Sequence, residues 1–165
     1  MILKFELTLS RHSTERGLPN MEADKWASQK AEQVRRQRDG RDLQQKTRLH
    51  DSELRAKYAQ ELWNELRGEL KSRVELLNRE LGDESLEWHD EVKQSEVKIG
   101  IKGSSSEVVL AFEPQFERVS GMVLHSHVSY GAAVRDGKVV FTDGSTTAPI
   151  QVIAEKVLDA VIKAL

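Results

Sequence analysis

Residues 54–81 read LRAKYAQELWNELRGELKSRVELLNREL, and the fold follows from how this stretch spaces its apolar side chains. Ala59, Trp63, Leu66, Leu70, Val74, Leu77 and Leu81 recur every three or four residues, and Tyr58 and Leu62 widen the stripe. That spacing matches the period of an α-helix, while Lys57, Glu61, Glu65, Glu69 and Arg73 lie largely off the stripe. One side of the helix is therefore greasy and must dock on something. Gly82 follows at once, the residue type that most readily adopts the left-handed conformation closing a helix.

Upstream, the same helical reading continues with a different composition. Pro19-Asn20 followed by Glu22 and Asp24 reads as a helix start, with Asn20 as cap and the two acids at the positive end of the dipole. No proline interrupts the chain from there to Leu81. Between residues 32 and 53 the large apolar side chains are only Val34, Leu43 and Leu49, too few to hold a helix in a core. The sequence thus predicts a polar helical arm over residues 20–53, solvated or paired with another chain. Asp39-Gly40 either bends that arm or divides it into two helices. Trp26, with Ala23, Ala27, Ala31 and Val34, makes a small apolar strip that folds back on the sheet or pairs two arms across a dimer.

Downstream of Gly82 the period changes from helical to alternating, with turn residues between short runs. Val97, Ile99 and Ile101 form one run, and Val108, Leu110 and Phe112 the next, ending at Glu113-Pro114. Phe116 to Arg135 reads as a third, long run with Gly121 and Gly131 as candidate bulges, and Asp136-Gly137 as a two-residue hairpin loop leading to Lys138–Thr142. A final helix is expected from about Ala148 to Ala164, capped by Ser145, Thr146 or Thr147, with Ile150, Ile153, Val157, Val161 and Leu165 on one face. At the other end, Leu3, Phe5, Leu7 and Leu9 alternate with Lys4, Glu6 and Thr8, a strand pattern over residues 2–9 that would join a sheet edge.

These elements sum to an α+β protein. An antiparallel meander of four or five strands carries the helix at 54–81 and the C-terminal helix on one face, and the arm is added to it. The expected divisions are an N-terminal strand and loop (1–19), the arm (20–53) and an α+β domain (54–165).

Composition narrows the function classes. The chain has 165 residues, enough for one ordinary domain with an appendage. Its net charge of −2 supplies no overall field to draw in nucleic acid or an anionic membrane, so any such partner must use a local patch. Without cysteine there are no disulfides, thiolate metal sites or cysteine nucleophile, and the cytoplasm is the expected compartment. No apolar run approaches the length of a membrane span, so no membrane partner is expected.

Four groups of residues carry candidate chemistry. His125 and His127, two apart on the expected strand, would point the same way and could share a metal ion, with His89-Asp90-Glu91 adding ligands. Met122, Leu124, Val128 and Tyr130 would form the opposite, apolar face. His89 with Asp90 or Glu91 could serve acid–base chemistry, although nothing in the sequence marks a cleft around them. Asp143-Gly144-Ser145-Thr146-Thr147 before a helix could hold an anion on free amides, or simply make the turn and cap. Arg35, Arg38, Arg41 and Arg48 recur at roughly helical spacing and would form a cationic stripe, tempered by Asp39 and Asp42 four residues after the first two.

No motif points to a cofactor. The favoured expectation is a non-catalytic cytosolic interaction or oligomerisation module using Trp26, Val34, Arg35, Arg38, Arg41, Leu43, Arg48 and Leu49 on its arm to bind another protein or a second copy of itself. The alternative is a nucleic-acid-associated protein using the arginines, and the third a metal-dependent or acid–base enzyme around His125, His127 and His89.

Overall fold

The computed structural model describes residues 21–82, 85–90, 95–123 and 126–163. Helix α1 (Met21–Leu81) is followed by seven strands: β1 (Leu86–Asp90), β2 (Glu96–Ile101), β3 (Glu107–Glu113), β4 (Arg118–Val123), β5 (Ser126–Arg135), β6 (Lys138–Asp143) and β7 (Thr146–Thr147). Helix α2 (Ile150–Ile162) closes the chain, and a single 3₁₀ turn, Pro114–Phe116, joins β3 to β4. The chain divides into two units, Met1–Gln45 and Lys46–Leu165. The expected strand at 2–9 and the Asn20 cap lie outside the described residues.

The second unit is the α+β domain. Its strands pair antiparallel in chain order from β1 to β7, so the meander is seven-stranded rather than four- or five-stranded. Three departures make up the difference. Leu86 and Trp88 alternate over too few residues to announce β1, yet they supply its core-facing side. The long run expected from Phe116 to Arg135 is two strands, because Arg118–Val123 pairs antiparallel with Ser126–Arg135, Val123 opposite Ser126. Thr146–Thr147, expected as helix caps, instead pair with Thr142 and Asp143 as β7.

The entry of α2 follows from that pairing. With the threonine backbones committed to the sheet, Pro149 stands at the N-cap with no side-chain bond, and its carbonyl accepts the first helical hydrogen bond from the Ile153 N–H at 3.0 Å. At the other hairpin the sequence reading holds. Asp136 and Gly137 both take positive φ (50° and 74°), the conformation of a two-residue loop matched to strand twist.

Register explains the core. Leu86, Trp88, Val97, Ile99, Val108, Leu110, Phe112, Val119, Tyr130 and Phe141 share the sheet's inner face. Against it sit Ala59, Trp63, Leu66, Leu70 and Val74 of α1 and Ile153, Ala154, Val157, Leu158 and Val161 of α2. Trp63 is fully buried, its ring stacked on that of Phe112 with centroids 6.2 Å apart. Each such side chain contributes about 1.5–3 kcal/mol relative to exposure, which is why this part of α1 is fastened and the stripe in the sequence is so regular. Gly82 (φ 73°) ends the helix as expected.

Neither Gly121 nor Gly131 makes a bulge: the ladder runs through both without an extra residue. Gly121 has another reason to be glycine. A Cβ there would stand 2.0 Å from the Val109 carbonyl oxygen and 3.0 Å from Leu110 Cα, so a side chain is excluded by the neighbouring strand's backbone.

Polar contacts tie the layers at their margins. Arg55 Nε donates to Glu117 Oε2 at 2.7 Å, reaching a residue whose left-handed backbone (φ 50°) turns the chain from the 3₁₀ turn into β4. Arg73 bridges Glu69 on its own helix (2.6 Å) and Glu155 on α2 (3.2 Å). Asn78 both donates to the Leu86 carbonyl and accepts from the Leu86 N–H, each at 2.9 Å.

Candidate functional site

The helix α1 is unbroken at Asp39-Gly40, where a Cβ on Gly40 would meet nothing within 4 Å. Every residue from Asp24 to His50 is exposed, including Trp26 (63%), Val34, Leu43 (67%) and Leu49. Such a helix, polar around most of its circumference, is supported mainly by local pairs. Glu32 pairs with Arg36, and Lys30 donates to Gln33 at 3.2 Å. Among the described residues the expected pairs Arg35–Asp39 and Arg38–Asp42 are not closed. An acid four residues before a base is the better orientation, and these two have the reverse order with a short acid.

Helical rotation redistributes the expected stripe. At about 100° per residue, steps of three carry Arg35, Arg38 and Arg41 roughly 120° around the helix, so they wind rather than align. Arg41 and Arg48 share one direction with Val34, while Leu43 faces the opposite side from Val34. The coherent face is Ala27, Ala31, Val34, Arg38 and Arg41, apolar at its start and cationic at its end. Over residues 35–48 the cations Arg35, Arg36, Arg38, Arg41, Lys46 and Arg48 stand against only Asp39 and Asp42.

Among the described residues, His89 and His127 do not come together. His125 and Glu91 lie outside the described residues, as does Leu124. His127 is exposed on the sheet's outer face opposite Met122, which is itself exposed there and not part of an apolar inner face. His89 belongs to the same outer row, joined through Lys98, Val109 and Met122, but four strand spacings separate it from His127, about 19 Å. Its ring nitrogen is 3.4 Å from Glu87 on its own strand. Asp90 points to the other face and bonds Arg67 at 2.8 Å, so His89 and Asp90 cannot act on one substrate. Burial alone would raise the Asp90 carboxyl, but the hydrogen bond from Arg67 and the Arg67 and Lys71 charges outweigh it and hold the group below its ordinary value. No group of three His, Cys, Asp or Glu residues able to hold a metal ion occurs among the described residues.

The expected anion site is likewise dispersed. Asp143-Gly144 turns the chain (Gly144 φ 61°), Thr146–Thr147 are strand, and the Ser145 carbonyl accepts from Arg135 at 3.3 Å. The residues therefore precede α2 without presenting its free amides.

On the outer face, Arg118 makes a two-pronged bond to Glu113 (3.1 and 2.9 Å) and Ser120 Oγ donates to the same carboxylate. The Arg118 and Ser120 hydrogen bonds lower the Glu113 pKa, and Arg118 also lies over the exposed Phe116 ring, 4.8 Å from its centroid.

One concave feature was not anticipated. Leu54, Tyr58, Glu61, Leu62 and Glu65 of α1 line a groove of about 320 Å³ with Gly137, Lys138 and Val139 of the β5–β6 hairpin. Its floor is half-buried and apolar; Glu61 and Glu65 are exposed on its rim. The signal was in the sequence as Tyr58 and Leu62, which widen the α1 stripe, Leu62 packing against the margin of the core as well. Lys57 lies 4.8 Å from the Tyr58 ring centroid, and its hydrogen bond with Tyr58 raises its pKa.

Comparison of the chain with protein families, with curated proteins and with solved structures finds no match. No helix among the described residues is long and apolar enough to cross a membrane.

Proposed function

We propose that this protein is a non-catalytic, cytoplasmic interaction module that engages another protein chain through residues 24–50 of α1. The observation that carries this reading is the continuous helix in which every residue of that span is exposed, large apolar side chains included. Water gives such a helix little net stability, and an open tryptophan on its surface is the kind of anchor that interfaces use. The first partner to test is a second copy, because homo-oligomers are the commonest soluble assemblies.

Sedimentation of the full-length protein over a wide concentration range tests the proposal. Mass should rise with concentration in the wild type, and the rise should be lost in a Trp26→Ala, Val34→Asp double variant that keeps the wild-type melting curve. A wild type that remains monomeric throughout removes self-association as the function.

The excess of cations over residues 35–48 favours one second reading, phosphate binding along nucleic acid. Against it, the arginines wind around the helix and Trp26 is the only phenylalanine, tyrosine or tryptophan between 24 and 50 on which a base could stack. A salt-sensitive mobility shift abolished by Arg38→Ala, Arg41→Ala would establish that reading in place of the first.

A further inference from the structure

We infer that the face of α1 running from Ala27 to Gln45 is the seat for an acidic helix of a different protein, whose carboxylates meet Arg38 and Arg41. This rests on the interaction reading above and names the chemistry of the partner.

Spacing defines the face. Ala27, Ala31, Val34, Arg38, Arg41 and Gln45 follow one another at alternating steps of four and three, the interval at which one helix seats the side chains of another. At about 100° per residue these six and Lys30 fall within an arc of roughly 100°. No acid lies in that arc: Asp24 and Asp42 stand just outside one edge, and Glu32 and Asp39 are farther round the helix. All seven side chains of the arc are exposed. Arg38 and Arg41 make no hydrogen bond or ion pair among the described residues.

The order of chemistry along the face selects the occupant. Its first half is small and apolar, with Ala27, Ala31 and Val34 and the open Trp26 ring at the margin. Such a surface gains from close-packed apolar side chains, which a phosphate backbone does not offer. The second half is cationic, and covering Arg38 and Arg41 calls for an opposing charge on each. A protein helix that is apolar over one half of its seam and acidic over the other meets both demands.

A second copy does not. In a parallel pair Arg38 and Arg41 would face their own counterparts, placing like charges together. An antiparallel copy centred on Val34 would lay the two arginines over Ala31 and Ala27, with Asp24 the one acid bordering them.

The test titrates full-length protein with a fluorescent synthetic helix carrying leucine at the seam positions of one half and glutamate at those of the other, made in both chain directions. One direction should bind, and glutamine in place of its glutamates should weaken binding at least about tenfold. Arg38→Glu, Arg41→Glu protein should lose the binding without a change in melting curve, and a probe with lysine in place of glutamate should recover it. Binding that survives this double variant overturns the assignment. Tighter, salt-sensitive retention of a DNA duplex also overturns it and establishes the nucleic-acid reading instead. Self-association abolished by Val34→Asp, with no probe bound in either direction, overturns the acidic partner and leaves the interaction reading standing. A monomer that binds no probe removes both.

Discussion

The side-chain amide of Asn78 is bonded twice to the backbone of Leu86, donating to its carbonyl and accepting from its N–H, each at 2.9 Å. Because the Ser85 carbonyl accepts from the Lys102 N–H, alternation places the Leu86 groups on the side of β1 away from β2. Asn78 therefore stands where the next strand would be and closes part of the sheet's edge. Replacing it with alanine should cost about 1–3 kcal/mol, since both backbone groups lose their partner. Thermal denaturation should show a fall of several degrees. Asn78→Asp, which keeps an acceptor and loses the donor, should lie between wild type and alanine.

Gly121→Ala should be far more damaging than a typical surface change. The added methyl would lie 2.0 Å from the Val109 carbonyl oxygen, and the obstacle is backbone, which cannot rotate away. More than about 3 kcal/mol of destabilisation is expected, above the usual range for overpacking. Chemical denaturation would measure it; a loss under 1 kcal/mol would contradict the close approach of β3 and β4.

Acid should loosen the Arg67–Asp90 contact. Asp90 is held below its ordinary value in the folded protein, so the folded state binds its proton less well than the unfolded state does. Its contribution is therefore complete above the unfolded value near 3.9 and disappears as pH falls through the lower folded value. The difference in stability between wild type and Asp90→Asn should be constant near neutrality and shrink below about pH 4. Urea midpoints measured across that range would show it, and the effect should be modest because the carboxylate retains access to water.

Gly40→Ala should stabilise the exposed part of α1. Glycine in a helix interior costs about 1 kcal/mol relative to alanine, and the new methyl would meet nothing within 4 Å. Amide hydrogen exchange over residues 30–50 should slow several-fold, with the melting of the α+β domain unchanged. Unaltered exchange would indicate that the helix is interrupted at that position.

Much of this architecture was readable before the structure, and for definite reasons. The α1 stripe, the α2 face and the strands at 96–101 and 107–113 each repeat their apolar side chains often enough to declare a period, and Asp136-Gly137 has the chemistry of its turn. Strand β1 is not announced because Leu86 and Trp88 give only one repeat, and the division between β4 and β5 is not announced because the sequence between them, Leu124-His125, lacks glycine, proline or asparagine. The candidate surfaces are less legible. Arginines at intervals of three look like a stripe in one dimension and wind around a helix in three, and the Leu54–Tyr58–Leu62 groove exists only because the β5–β6 hairpin lies beside α1.

From β2 to β7 each strand pairs with the strand made just before it, so as synthesis proceeds each new hairpin can add to a ribbon already in place. Helix α1 has the opposite history. Trp63 leaves the ribosome well ahead of Phe112, the ring it will cover, and the greasy side of the helix meets water until the third strand emerges. Nascent chains stalled before residue 107 should therefore be the most aggregation-prone stage in the making of this protein.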